Sequence, residues 1–249
     1  MIFPGPKFEH PVFDEELDRT KVDLCFSGGQ DSTTCLLWLL RLGVKAENII
    51  LHHFRYGQRH AREEEHSLCA VAERAGLAAH QIVVHGLPIP MNSALVHPMV
   101  PVDGPHPSNH QLPASFVPGR NLQFILTAAE YMYEAKRNIL VLGVNAVDYS
   151  GYPDCRPGAI AAMSDAVRQG FDWPEFTILA PLMEKSKADI VRTAQASSPF
   201  WKEFMAMAHT CYEGVFPGCT HCPACKIRAA AFEEVGVPDP RFEVICGQE

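Results

Sequence analysis

A pair of glycines between an apolar strand and a helix constrains this chain more than any other feature. Residues 24–37 read Leu-Cys-Phe-Ser-Gly-Gly-Gln-Asp-Ser-Thr-Thr-Cys-Leu-Leu. Gly28 and Gly29 can adopt backbone angles closed to other residues, so the neighbouring N–H groups can face one point, toward which the helix directs its positive end. The segment predicts an anion-binding loop. An ordinary strand-to-helix turn capped by Asp31 or Ser32 is the alternative that so short a pattern leaves open.

The loop differs from the phosphate loop of kinases and motor ATPases, because Gly-x4-Gly-Lys-Ser/Thr and its lysine are missing. Ser-Gly-Gly-x-Asp-Ser resembles instead the PP-loop of the ATP pyrophosphatases, which cleave ATP between the α and β phosphates. A loop that holds the β and γ phosphates leaves the α phosphate open to a substrate oxygen, and the product is an adenylate. The resemblance implies that Asp31 holds Mg²⁺. The implied ATP-binding set is Phe26, Ser27, Gly28, Gly29, Gln30, Asp31, Ser32, Thr33 and His53.

The composition limits the number of domains and the class of partner. A chain of 249 residues, 47% hydrophobic and 20% charged, is long enough for one well-buried α/β domain with a small appendage. It has no run of about 18 apolar residues and no signal-like start, so we expect a cytoplasmic protein that does not contact membranes. A formal net charge of −8 argues against stable nucleic-acid binding, which normally requires a basic patch.

The nine cysteines are not expected to form disulfides in a reducing compartment. Three lie in apolar strand or helix patterns and are expected in the core: Cys25, Cys35 and Cys69. Four have ligand-like spacing: Cys211, Cys219, Cys222 and Cys225. Four thiolates suit a tetrahedral ion, and Zn²⁺ fits best as a structural metal, with an iron–sulfur cluster as the alternative. Two neighbouring histidines, His209 and His221, are expected not to be ligands.

Strand and helix patterns alternate from residue 21 onward. Strands are predicted at residues 22–26, 48–53, 81–84, 139–144 and 176–179, and helices at 32–42, 60–75, 121–136, 158–169 and 186–194. This alternation indicates right-handed βαβ units, and hence a Rossmann-like, doubly wound parallel sheet of five strands with ligands at the carboxyl ends. Residues 86–118 hold eight of the twenty prolines and are predicted to form a long ordered loop of the kind that covers sites.

The composition and motifs divide the chain into three parts. Residues 1–20 are polar and proline-bearing and form an N-terminal extension. Residues 21–197 form the ATP-binding α/β domain. Residues 198–249 form a C-terminal zinc-binding segment with a helix from about residue 226 to 235.

Further segments lie in order between the glycine loop and the cysteines: Tyr56-Gly-Gln-Arg-His60, Phe116-Val-Pro-Gly-Arg-Asn121, Gly143 through Arg156, Pro181-Leu-Met183 with Lys187, and Thr210-Cys-Tyr212. Together with both motifs they resemble QueC, the 7-cyano-7-deazaguanine synthase family of queuosine biosynthesis, over about residues 22–240. The resemblance implies an adenine nucleotide α hydrolase-like fold with a zinc-binding helical appendage. It also implies a homodimer.

The family implies an ATP-dependent carbon–nitrogen ligase that uses ATP, Mg²⁺ and Zn²⁺. Its small-molecule substrates are 7-carboxy-7-deazaguanine and ammonia, and its product is the nitrile. The carboxylate and then the amide would be adenylated, with AMP and pyrophosphate released. Each adenylation turns an oxygen into a good leaving group, so the protein chiefly positions the substrates and neutralises charge.

Residue roles follow from the same resemblance. The catalytic set is Asp31, Lys187 and Arg120; the substrate set is Tyr56, Arg59, Arg120, Asn121, Asp148, Tyr152, Asp154 and Arg156. Lys187 would neutralise phosphate charge, and Arg120 would hold phosphate or carboxylate. Asp154 is the preferred acceptor for the N–H donors of the deazaguanine edge. Ordinary alternatives stay open: Lys187 as an exposed helix lysine, Arg120 as a capping residue or a member of a surface ion pair, and the string that contains Asp154 as a turn. Cys155 is expected to be a structural thiol.

Two departures from the family pattern keep other functions open. About twenty residues precede the first strand, and Glu184 stands where many members carry tryptophan. Glu184 puts the identity of the amine in doubt, so a related ligase that transfers the activated carboxylate to another amine, for example on a protein, is one alternative. A PP-loop enzyme that modifies tRNA is another, against which the acidity of the chain weighs.

Overall fold

The structure is a computed structural model that describes residues 17–88, 93–147 and 152–243. Its strands are β1 Val22–Cys25, β2 Ile49–Arg55, β3 Ile82–Gly86, β4 Pro105–His106, β5 Asn109–Pro113, β6 Ile139–Val141 and β7 Thr177–Leu179. Five of them form a parallel sheet in the order β3-β2-β1-β6-β7. The chain runs outward from β1 to β3 and then returns to the other side of β1. This topology confirms the predicted doubly wound sheet and places its switch point between β1 and β6.

Helices cover both faces of the sheet. They are α1 Gln30–Arg41, α2 Ala61–Arg74, α3 Arg120–Glu134, α4 Pro157–Gly170, α5 Lys187–Ser197, α6 Trp201–Met207, α7 Pro223–Val235 and α8 Pro240–Glu243. One apolar cluster contains side chains of α1, α2, α5, α6 and α7, and the other contains side chains of α3 and α4. Within the described ranges, no helix has the length and apolarity needed to cross a bilayer.

The boundaries of several elements differ from those that the periodicity predicts. Helix α1 begins at Gln30, two residues before the predicted start, because Gly29 already occupies the N-cap. Helix α7 begins at Pro223, where proline suits the first helical position. The predicted loop at residues 86–118 contains the hairpin β4–β5, and α6 and α8 were also not predicted. The hairpin carries prolines at both paired ends and is too short for a period of two to show.

A buried charge network joins the central strands. Asp23 is completely buried, and its carboxylate lies 2.7 Å from His52 Nε2 and 2.5 Å from Arg137 Nε. Arg137 also donates to the carbonyls of Val22 and Asn48 at 3.0 and 2.7 Å. Each partner satisfies a charge or a carbonyl that burial would otherwise penalise. The network therefore fixes β1 against β2 and supports the strand ends that build the site.

The first prediction concerns this network. Arg137→Leu leaves the Asp23 carboxylate buried without its cation, so we expect a loss of about 3 kcal/mol in the free energy of unfolding. Urea denaturation measures this value. Lys45→Leu is the control, since it removes only an exposed ion pair with Asp18 and should cost less than about 1 kcal/mol. Equal losses in both variants would contradict the assignment.

Candidate active site and metal centre

A cavity of about 360 Å³ opens at the switch point of the sheet. Its walls include residues that directly follow β1 and β6, such as Phe26 and Gly143, and His53 near the end of β2. The carboxyl ends of parallel strands at a switch point are where α/β proteins bind ligands. The cavity is therefore the candidate active site.

Most of the predicted nucleotide-binding residues line this cavity. They are Phe26, Ser27, Gly29, Gln30, Asp31, Ser32 and His53. Gly28 and Thr33 do not line the cavity. Thr33 is completely buried, and Gly28 contacts the second helix instead of the cavity.

Gly28 fixes the shape of the glycine loop from behind. Its φ of +76° is in the left-handed region, and its carbonyl accepts hydrogen bonds from Ser67 Oγ at 2.6 Å and His209 N at 3.0 Å. A Cβ at this position would lie 2.8 Å from Leu68 N and 2.9 Å from Glu64 O. Only glycine permits both this φ and this close approach.

The two charged residues predicted at the loop, Asp31 and Lys187, form an ion pair. Lys187 Nζ donates to Asp31 Oδ2, and both side chains line the cavity and are about a quarter exposed. Asp31 lies in the first turn of α1, and Lys187 is the first residue of α5. The positive ends of two helices therefore meet at one side of the cavity. A Cβ on Gly143 would lie 3.0 Å from Ser32 N, so glycine lets the strand β6 approach this point closely.

Four predicted substrate residues line another part of the cavity: Tyr56, Arg120, Asn121 and Tyr152. Arg120 Nη1 donates to Tyr56 Oη at 3.3 Å, and its guanidinium lies 5.5 Å from the centre of the Tyr152 ring. Burial alone would lower the pKa of Arg120, but Tyr56, Tyr152 and Asp154 more than offset it, and the pKa lies above its usual value. The result is a fixed cation framed by aromatic rings, which suits a flat anionic ligand.

Three other predicted substrate residues do not line the cavity. Asp154 is buried, and its carboxylate accepts from the backbone N–H of Asn121 at 2.9 Å, so it caps α3. Arg59 pairs with Glu213 at 3.3 Å, and Arg156 is exposed. Asp154 thus supports the cavity-lining residue Asn121 from behind, Arg59 and Arg156 are not brought into the cavity, and Asp148 lies outside the described residues.

The sequence also predicts a structural thiol at Cys155 and an effect of Glu184 on the amine. Cys155 lines the cavity, where burial and the nearby Asp154 raise the pKa of its thiol to about 12. A neutral thiol fits the predicted structural role and makes a poor nucleophile. Glu184 is exposed and does not line the cavity. It therefore does not contact the candidate active site.

The sequence did not assign several residues that line the cavity: His60, Glu64, Phe124, Asn145 and Tyr212. Phe124 stacks on Phe54, with 4.1 Å between ring centres. Tyr212 approaches Tyr152, with 3.3 Å between their hydroxyl oxygens. For two of these residues the sequence does carry a signal: His60 and Glu64 are four residues apart, and residues at this spacing share one face of a helix.

The four predicted cysteine ligands lie together in one cluster suited to a metal ion. Their sulfur atoms all lie within 4.8 Å of one another, and among the described residues no other group of at least three His, Cys, Asp or Glu is this close. Backbone N–H groups of Cys219 and Cys222 donate to the sulfurs of Cys211 and Cys219 at 3.4 and 3.2 Å. Hydrogen bonds among the sulfurs lower the pKa of Cys211 and raise the pKa of Cys222 and Cys225. Four clustered sulfurs supported by N–H donors fit a thiophilic cation.

The neighbouring histidines and three other cysteines lie outside the sulfur cluster. His221 is exposed, and His209 is buried and directs Nε2 to the carbonyl of Cys211 at 2.7 Å. Neither belongs to the sulfur cluster, as expected. Cys35 is buried and Cys25 is half-buried, but Cys69 is exposed on α2, so its expected core position is wrong.

Comparison with known proteins identifies the family. Residues 21–236 match the family model of QueC, described as queuosine biosynthesis protein QueC. The chain belongs to the QueC family. It is 40% identical over 225 residues to a 7-cyano-7-deazaguanine synthase of Chromobacterium violaceum, covering 90% of this chain and 93% of that one.

Other relatives agree with this assignment. The 7-cyano-7-deazaguanine synthase of Laribacter hongkongensis is 38% identical, over 89% of this QueC chain and 93% of its own. That of Thermosynechococcus vestitus is 36% identical, over 88% and 94%. Among solved structures, the U34-tRNA thiolase NcsA from Methanococcus maripaludis with its 4Fe-4S cluster aligns with a TM-score of 0.38 and 14% identity, over 92% of this chain and 70% of that one. The curated relatives indicate that this QueC chain is an enzyme of queuosine biosynthesis.

Substitution of Gly28 tests the packing behind the loop. Gly28→Ala and Gly76→Ala both force alanine into a left-handed conformation, since their φ angles are +76° and +78°, at a cost of about 1–2 kcal/mol each. A Cβ meets nothing within 4 Å at Gly76 but clashes with the backbone of α2 at Gly28. We expect Gly28→Ala to lose about 1–3 kcal/mol more than Gly76→Ala in urea denaturation. Matching losses would show that α2 does not press on the loop.

Removal of one sulfur tests the metal centre. Cys222→Ser should release the bound metal and lower the melting temperature, because metal binding contributes directly to folding of the segment. Elemental analysis of the purified protein and thermal melts measure both effects. Cys69→Ser is the matched control, since Cys69 is exposed and lies outside the cluster. A stable Cys222→Ser protein with undiminished metal content would exclude Cys222 as a ligand.

Proposed function

We propose that this protein converts 7-carboxy-7-deazaguanine and ammonia into 7-cyano-7-deazaguanine, with two ATP molecules cleaved to AMP and pyrophosphate. The single observation that supports it most is the Asp31–Lys187 pair at the meeting point of two helix N-termini in the cavity. Such a site suits a polyphosphate. The family and the names of the curated relatives supply the product.

The loop and both helix ends would hold the nucleotide. Helix α1 begins at Gln30, beside the cavity, so the N–H groups of its first turn have no partner within the helix and would bind the β and γ phosphates as the departing pyrophosphate. The Asp31 carboxylate and the nearby hydroxyls of Ser27 and Ser32 are oxygen donors that suit Mg²⁺. Lys187 would then exchange Asp31 for phosphate. The backbone at His53, near the end of β2, would contact adenine.

The aromatic end would hold the deazaguanine acid. Tyr56 and Tyr152 would contact the faces of its ring system, and Arg120 between them would hold the carboxylate in line with the α phosphate. Attack by the carboxylate oxygen on the α phosphorus releases pyrophosphate and gives an acyl adenylate. Ammonia displaces AMP to give the amide, whose oxygen is adenylated in turn. Loss of that AMP gives the nitrile.

The sulfur cluster would hold Zn²⁺ as a structural ion. All four ligand positions are occupied by protein sulfurs, so no position remains for a reacting water. The same four thiolates suit an iron–sulfur cluster, which elemental analysis and the visible absorption spectrum distinguish.

We propose that residues 21–197 form the domain that binds nucleotide and substrate and that residues 198–249 form the segment that binds metal. We propose a cytoplasmic homodimer that binds small molecules and does not stably bind nucleic acid, in keeping with a net charge of −8. The exposed position of Glu184 removes the main reason to invoke a different amine.

Incubation of the protein with ATP, ammonium chloride and 7-carboxy-7-deazaguanine tests the proposal by product mass. We expect the nitrile, AMP and pyrophosphate. Asp31→Asn should lower kcat by about 10²–10³-fold, because it removes a charge that organises the phosphates and their cation. Asp18→Asn, which changes an exposed carboxylate paired with Lys45, is the control and should keep full activity. Formation of ADP, or unchanged turnover in Asp31→Asn, would refute the assignment of the loop.

A further inference from the structure

A buried imidazole at the start of α2 has one ring nitrogen without a partner. His60 is 4% exposed and lines the cavity, and its Nδ1 has no hydrogen-bond partner among the described residues. His60 is also the N-cap of α2, yet its side chain makes no capping bond. Ser, Thr, Asp and Asn are the residues that favour this position. The ring therefore does not serve the helix, and a buried nitrogen left unpaired at a cavity indicates a ligand.

Glu64 fixes the tautomer of this ring. It lies one helical turn after His60, with Oε1 3.4 Å from His60 Nε2, and its Oε2 accepts from Gln58 Nε2 at 2.8 Å. Burial raises the pKa of Glu64, but the charge of His60 and hydrogen bonds from His60 and Gln58 more than offset this, so the net pKa is lower than usual. An ionised carboxylate only accepts hydrogen bonds, so Nε2 carries the proton. When the ring is neutral, Nδ1 then carries a lone pair that no described residue engages, in a residue that lines the cavity.

The pair lies beside the glycine loop. A Cβ on Gly28 would be 2.9 Å from the carbonyl oxygen of Glu64, so the first turn of α2 touches the loop directly. Among the described residues that line the cavity, the carboxylates are Asp31 and Glu64, and Asp31 is paired with Lys187. His60 and Glu64 have no third His, Cys, Asp or Glu among the described residues close enough to complete a metal site with them. The lone pair of His60 Nδ1 and the carboxylate of Glu64 therefore suit a small cation that carries N–H donors.

The proposed function supplies such a cation, and this inference rests on it. Ammonia is mostly ammonium near neutral pH, and ammonium has no lone pair with which to attack. Its nitrogen enters with four protons and leaves in the nitrile with none. We propose that His60 and Glu64 form a dyad that binds ammonium and removes the proton that blocks its attack on the acyl adenylate.

The dyad would act in the step that forms the amide from ammonium and the acyl adenylate. The first proton passes from ammonium to His60 Nδ1, and the nitrogen lone pair forms a bond to the acyl carbon. The bond between that carbon and the AMP oxygen breaks, and its electron pair leaves with AMP. A second proton passes from the nitrogen to solvent, which gives the amide. His60 is the catalytic residue, and Glu64 is a positioning residue that holds the tautomer and stabilises the imidazolium.

Two nucleophiles separate this role from a structural one. Hydroxylamine is largely unprotonated at neutral pH, so its attack on the acyl adenylate, which yields a hydroxamate, does not need the dyad. In His60→Gln, we expect kcat/KM for ammonium to fall by about 10²-fold or more, with the hydroxylamine reaction largely retained. Glu64→Gln should show the same selectivity with a smaller loss. Pyrophosphate exchange into ATP, measured with the deazaguanine acid and no amine, should be preserved in both.

Glu65→Gln is the matched control, since Glu65 is the next residue of α2, pairs with Arg55 at 2.7 Å and does not line the cavity. It should keep wild-type kinetics with both nucleophiles. Equal losses with ammonium and hydroxylamine in His60→Gln and Glu64→Gln would overturn the dyad, and so would unchanged ammonium kinetics in either variant. Those results would leave nitrile synthesis by the wild-type protein intact. A wild-type protein that forms no nitrile from ammonium would overturn the proposed function together with the dyad.

Discussion

The carbonyl group of Gly28 is the point on which the rest of the site depends. Two donors from distant parts of the chain, Ser67 Oγ and His209 N, hold it in place. Because a peptide unit is planar, these bonds also fix the following N–H group, that of Gly29, which donates to Ser27 Oγ at 3.2 Å. The conformation of the glycine loop is thus set by contacts with α2 and with the segment that carries His209.

This arrangement connects the sulfur cluster to the glycine loop. His209 lies two residues before Cys211, and its Nε2 is 2.7 Å from the Cys211 carbonyl. Tyr212, the next residue, lines the cavity. Behind them, Arg228 of α7 donates to the carbonyls of Ala208 and Met205 at 3.1 and 2.7 Å. A cation held by the four sulfurs would fix this segment, and through His209 it would fix the loop.

The sequence predicts those parts of the site that local chemistry specifies. The glycine loop, the cysteine cluster and the alternation of strands each follow from residue types at short spacing, and all three are present in the fold. Asp154 shows where such reasoning stops, because a carboxylate in a motif can bind a ligand or cap a helix, and only the tertiary structure places it against the N–H of Asn121. The short hairpin β4–β5 depends on pairing instead of periodicity, so its pattern was not visible.

Several residues that line the cavity carry a buried polar atom without a hydrogen-bond partner among the described residues, and these atoms differ in chemistry. Gln30 Nε2 and Arg120 Nε are donors. His60 Nδ1 and His53 Nε2 are acceptors when their rings are neutral, because the other ring nitrogen faces the Glu64 carboxylate in His60 and the Phe26 carbonyl in His53. Donors suit phosphate and carboxylate, and an acceptor beside Glu64 suits a cation. A reaction that joins two anions and then adds ammonium needs both kinds of group within one cavity, held apart so that they do not neutralise each other. The Asp31–Lys187 pair shows what happens where opposite charges are within reach, since each occupies the other. Arg120 differs, because it forms no ion pair with a carboxylate of the described residues and lies instead against the rings of Tyr56 and Tyr152, so its guanidinium is available for an incoming carboxylate.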